Sequence, residues 1–219
     1  MTNKQAGRIT GILFIAATAA GVSSLPFAGV LQKADYVQQI NQNPNSLLIG
    51  SLLIALMGIF CAAIALSIYP VLSKQNKGLA IGAAGFRVAE GTIFIMSAGL
   101  MAALVPAAAA GQSTADILKI AQNGIADVGG FAFCTGALLY YIGFYKAKLV
   151  PRWLSIWGLI AIVMHFAALV SIFFGADTFS PLNTVLNMPI AFQEMVLAVY
   201  LIIFGFNDKN TNDKKEKNI

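Results

Sequence analysis

Apolar residues in this chain come in long, nearly unbroken runs, separated by short polar punctuation. Six runs approach or exceed the roughly 20 apolar residues a helix needs to cross a bilayer: Ile9–Val30, Leu47–Leu72, Leu79–Val105, Gly124–Tyr145, Trp153–Phe174 and Pro189–Phe206. A transmembrane barrel is excluded, because barrel strands alternate apolar and polar positions over about ten residues and these runs are continuous. The pattern predicts an all-α fold, an integral membrane bundle of six transmembrane helices. Residues 1–206 form one membrane domain, followed by a polar tail, 207–219, too poor in apolar residues to fold.

The first run carries an ambiguity. Lys4 and Arg8 precede it, and Ala19-Ala20-Gly21 resembles a signal-peptide cleavage site. The apolar stretch continues past Pro26 to Val30, however, beyond the usual 7–15-residue core of a secretory signal. It reads as a retained span.

The connections have their own signals. Within Gln32–Asn43, Val37 and Ile40 lie three apart, as on a short surface helix. Gln112–Asn123, with Ser113 and Thr114 as candidate caps, reads as a second short surface helix before the fourth span. Turn formers fill 175–188, and Pro189 suits the first position of the last helix. Tyr140, Tyr141, Tyr145, Trp153 and Trp157 flank Arg152 and read as an interfacial aromatic belt. Gly7/Gly11 and Gly78/Gly82 have the four-residue spacing that lets helix backbones approach in lipid.

Composition agrees with the hydropathy pattern. Of 219 residues, 58% are hydrophobic and 11% charged, against roughly 25% charged in soluble domains; the mean hydropathy is +0.76. The net charge of +5 does not point to nucleic acid, because the basic residues sort by connection. Lys4 and Arg8 precede the first span, Lys74 and Lys77 follow the second, and Lys146, Lys148 and Arg152 follow the fourth. Lys209, Lys214, Lys215 and Lys217 follow the sixth, so eleven of fourteen share one side. The positive-inside rule then places both termini in the cytoplasm, and the lipid bilayer is the expected partner.

Four ionisable residues lie deep within the runs. At about 1.5 Å per residue, Arg87 is ~12 Å and Glu90 ~16 Å from the cytoplasmic end of the third span, while His165 and Glu194 are each ~18 Å in. All fall near the middle of a ~30 Å hydrocarbon core. Charge at that depth is costly and marks a candidate functional site. Arg87 and Glu90 share a helix face and can pair. One guanidinium and two carboxylates leave a surplus negative charge, so a proton on one Glu, or on His165, is expected to balance it. Asp127 is placed near the outer rim, as a candidate vestibule residue. Such a cluster suits a transport-like or ligand-sensing role, with a small molecule or a proton as the ligand; the alternative is a structural or accessory protein whose ion pair only fixes helix packing.

Recognisable enzyme chemistry is absent. One histidine rules out HExxH zinc sites and bis-His haem ligation within the chain. Cys61 and Cys134 read as small packing residues. No nucleophile elbow, P-loop or dinucleotide fingerprint occurs, and no metal or cofactor is expected.

Three segments carry a resemblance: Ala6-Gly7-Arg8-Ile9-Thr10-Gly11, Gly85-Phe86-Arg87-Val88-Ala89-Glu90-Gly91, and Leu149-Val150-Pro151-Arg152-Trp153-Leu154-Ser155-Ile156-Trp157-Gly158. Together they resemble the bacterial membrane proteins grouped as domain of unknown function 4386, from about Lys4 to Phe206. The resemblance implies a multi-pass protein of the bacterial inner membrane and supplies no catalytic residues.

Overall fold

The computed structural model describes residues 2–178 and 180–207. Among these, six helices are long and apolar enough to cross a membrane. They are α1 (Asn3–Ala28), α3 (Pro44–Leu72), α4 (Lys77–Ala110), α5 (Gln112–Ala147), α6 (Arg152–Phe173) and α7 (Pro181–Phe204). A 3-10 turn, Gly29–Gln32, and a short helix, α2 (Tyr36–Gln42), join α1 to α3. Apart from Asn207, the tail lies outside the described residues.

The expected surface helix at 32–43 is present as α2. The one at 112–123 is not separate: Gln112–Ala147 is a single helix of 36 residues, ~54 Å long at the α-helical rise. Asn123 and Gly124 lower helix propensity without breaking it, since neither removes a backbone donor as proline does. The last helix begins at Pro181, where Ser180 accepts from the Asn183 N–H, so Pro189 lies inside the helix. Proline inside a membrane helix is tolerated where neighbouring groups satisfy the freed carbonyl; Pro26, Pro70 and Pro106 are also internal.

Contacts run round the bundle in the order α1, α3, α4, α5, α6, α7 and back to α1, closing a ring. Short turns make α3–α4, α4–α5 and α5–α6 antiparallel neighbours. Polar side chains tie several seams. Thr10 and Ser67 join α1 to α3 at 2.8 Å, and Ser51 donates to the Ala98 carbonyl on α4 at 2.6 Å. Gln122 on α5 donates to Ser97 at 2.8 Å, and Gln193 on α7 to the Leu154 carbonyl at 3.1 Å. Asn207 fastens one end of the bundle. Its backbone N–H donates to Leu149 O at 2.8 Å, and its side chain to Lys148 O at 3.0 Å, while Asn3 donates to its carbonyl. The start of α1, the end of α7 and the α5–α6 turn therefore share that end.

Two apolar cores fill the ring. The first, at the Asn207 end, includes Ile68, Leu72, Tyr140, Tyr141, Phe144, Leu154 and Leu201. The second, at the opposite end, packs Tyr36 and Ile40 of α2 against Leu47, Met101, Leu104 and Ala115. There Tyr36 donates to Asp116 at 2.5 Å, and Lys119 lies over its ring. Burial and the adjacent Asp116 push the Tyr36 phenol up to about 12, so it remains a donor.

Close backbone approach sets two seams. A Cβ on Gly11 would lie 2.5 Å from the Ala198 carbonyl of α7, and one on Gly7 would lie 2.5 Å from Gly205 Cα at the end of that helix. The Gly78/Gly82 spacing has no such role: a Cβ there meets only side-chain atoms. The tightest backbone-to-backbone contact escaped the spacing pattern because its glycines belong to different helices. A Cβ on Gly91 of α4 would sit 2.4 Å from the Gly58 carbonyl of α3, and one on Gly58 would sit 2.6 Å from the Gly91 carbonyl. Gly91→Ala is therefore expected to destabilise the purified protein by about 1–3 kcal/mol, as overpacking does. Gly99→Ala, with nothing within 4 Å of its Cβ, should be neutral or slightly stabilising. Thermal unfolding of the two variants checks this, and equal midpoints would contradict the close seam.

Candidate functional site

Between the two cores the ring is not filled. A cavity of about 510 Å³ is lined from all six spans, and Arg87, Glu90, His165 and Glu194 all contribute. Its position follows from side-chain size. On α5 the face toward it runs Gln122, Ala126, Gly130, Phe133, so small residues sit where the neighbouring cores have large ones. On α1 it is bordered by Ala17, Thr18 and Gly21. The walls are mostly apolar, and the charged groups gather at the end nearer the first core.

Arg87 and Glu90 form the closed part of the site. The guanidinium Nη1 lies 2.8 Å from Glu90 Oε2, and both residues are only 2% exposed. The pair is close but not aligned as a hydrogen bond, and Arg87 Nε has no hydrogen-bond partner. Aromatic faces cover the rest of the cation: it lies 4.9 Å from the Phe133 ring centre and 6.0 Å from that of Tyr140. Gly136 makes this possible, since a Cβ there would lie 2.7 Å from Arg87 Cγ. Cys61 of α3 lies beside Glu90 and lines the same cavity.

Glu194 and His165 are the open part. Both are half-buried, and both line the cavity. Among the described residues Glu194 has no cationic nitrogen within ion-pairing distance; its polar contact is the Tyr140 hydroxyl, donating at 3.5 Å. His165 Nδ1 lies 2.7 Å from Asn187 Oδ1 on α7. With that oxygen accepting, Nδ1 carries the proton and Nε2 is the other polar edge of the ring. Phe133 separates His165 from Arg87, with its ring 5.3 Å from the imidazole.

The structure thus brings the four deep residues to one cavity without joining all of them directly. Asp127 is not among its lining residues: it sits one position past Ala126 on α5, half-buried on the adjacent face. The aromatic belt needs a larger correction. Trp153 and Tyr145 are exposed, at 57% and 37%, as interfacial residues should be, and Arg152 lies over the Tyr145 ring. Tyr140 and Tyr141 are 1% and 0% exposed and belong to the site. Tyr141 donates to Gln193 Oε1, and Gln193 donates in turn to Leu154 O. A hydrogen-bonded chain therefore crosses from α5 through α7 to α6. Gly158 seats it, since a Cβ there would meet the Tyr141 ring at 2.4 Å. The available sequence signal was depth: Tyr140 lies five residues, ~7.5 Å of helix, further in than Tyr145.

Among the described residues no group of three or more His, Cys, Asp or Glu side chains is placed to hold a metal ion.

No curated protein and no solved structure matches the chain. A family match extends over residues 9–205, reaching into all six spans and covering every residue of the cavity, under the description "Domain of unknown function (DUF4386)". The chain belongs to this family, as a multi-pass membrane protein whose six spans enclose a polar-floored cavity.

Proposed function

We propose that this protein binds a small molecule in its intramembrane cavity, as the step that serves a transport-like or ligand-sensing role in the bacterial cell membrane. Glu194 and His165 are the polar contacts for the ligand. The Arg87–Glu90 pair is the scaffold that holds the polar floor in place. One observation carries the reading: four ionisable residues from three helices converge on a single cavity of about 510 Å³, within the 300–1,000 Å³ range of small-molecule pockets. A structural ion pair alone needs no such space beside it.

The alternative, a structural or accessory protein, draws on the pair's 2% exposure. Breaking a buried pair costs about 3–5 kcal/mol, so the pair matters to stability on either reading. Glu194 and His165 separate the two, since a purely structural protein has no use for half-buried ionisable groups facing open space.

For orientation, the basic residues at the Asn207 end support a cytoplasmic placement of both termini by the positive-inside rule. A C-terminal fusion to alkaline phosphatase is expected to be inactive and one to green fluorescent protein bright; the opposite outcome would reverse the orientation.

The cavity itself is tested by filling it. Ala126 lines it and is half-buried, so Ala126→Trp should occupy the space. In a thermal-shift screen against small amphiphiles, at least one compound should raise the midpoint of the native protein and leave Ala126→Trp unchanged. A ligand at 100 times its dissociation constant stabilises by about 2.7 kcal/mol, which such a scan resolves. A panel that shifts both proteins alike, or neither, would contradict the ligand-binding reading.

A further inference from the structure

The ligand's chemical class follows from which charges can be reached, and this step rests on the ligand-binding reading above. Arg87 cannot serve an incoming anion: it is 2% exposed, held by Glu90, and covered by the rings of Phe133 and Tyr140. Glu90 is equally buried and already engaged. The carboxylate with surface toward the cavity is Glu194, and it lacks a cationic partner among the described residues. With all three groups ionised, the site carries one guanidinium and two carboxylates, a net charge of −1. A single positive charge beside Glu194 neutralises it.

The remaining walls suit the rest of such a molecule. Phe14, Phe94 and Phe133 line the cavity with Ile54, Met57 and Ile64, giving apolar surface and aromatic faces that attract cations. The cavity also has a route to the bilayer. Val22 and Leu25 of α1 line it yet are 59% and 55% exposed, so it reaches the outer surface of a membrane span, where an apolar molecule dissolved among acyl chains meets it.

We propose that the cavity takes an organic monocation with apolar substituents, a hydrophobic amine or onium ion, with Glu194 as its counter-ion. Binding begins with entry past α1; the apolar groups fill the space between the cores, and the charge rests against the Glu194 carboxylate.

The test uses two ions of the same shape and opposite charge, tetraphenylphosphonium and tetraphenylborate, with neutral triphenylmethanol as a third probe. Binding is measured at equilibrium on the full chain in lipid nanodiscs, with empty-nanodisc background subtracted. The phosphonium should bind saturably and at least tenfold more tightly than the borate. Glu194→Gln, which keeps the size and the acceptor for Tyr140, should weaken it at least tenfold, and Glu194→Asp should recover part of the loss. Unchanged phosphonium binding in Glu194→Gln, or equal binding of the two ions, would overturn the proposal. If Glu194→Gln does not accumulate, the comparison of the two ions on the native protein decides alone. Saturable binding of the borate or the alcohol without the phosphonium would sink the cation assignment and leave a ligand site standing. No saturable binding by any of the three would remove both.

Discussion

A guanidinium at membrane depth must be neutralised inside the protein, and the architecture of this chain is arranged around that need. Moving Arg87 into hydrocarbon costs at least about 2.5–3.5 kcal/mol even on the mildest scales. Glu90, one turn away, supplies the counter-charge at 2.8 Å. Phe133 and Tyr140 supply aromatic faces, and Gly136 supplies the space to seat the side chain. Each provision comes from α4 or from α5 beside it, the most extensively packed pair of helices in the ring.

From that anchor the polar chain spreads outward. Tyr140 reaches Glu194, Tyr141 reaches Gln193, and Gln193 reaches the α6 backbone. These bonds join helices that are otherwise apolar rods in an apolar solvent, where there is little hydrophobic drive to associate and packing and hydrogen bonds decide. The cavity is the complement of this order. Large side chains fill both ends of the ring, while Ala126 and Gly130 of α5 and Ala17 and Gly21 of α1 leave room in the middle, so open space lies directly against the polar floor.

Much of this was legible from residue order. The six spans follow from apolar run length, because no other fold hides such runs. The meeting of Arg87, Glu90, His165 and Glu194 follows from cost, since each must avoid lipid and all lie at similar depth. Other features were not legible. Tyr140 and Tyr141 look like interfacial aromatics in sequence, because a tyrosine near a basic turn is ambiguous until its helix face is known. The unbroken α5 was missed because capping residues at 112–114 and Gly124 suggest two segments, whereas burial of Ala115 and Gln122 against α4 and α2 keeps one helix intact. Gly58 and Gly91 face each other across a seam, and no spacing rule within one helix can pair them.

The most direct measurement is a double-mutant cycle on the buried pair, read by thermal unfolding of the purified protein. Arg87→Met and Glu90→Gln should each destabilise strongly, because each leaves a buried charge uncompensated. The double variant should recover most of the loss, with a coupling of at least about 1 kcal/mol, as for residues in one network. Losses that simply add would mean that the two side chains do not depend on each other, and the account built on their pairing would fail.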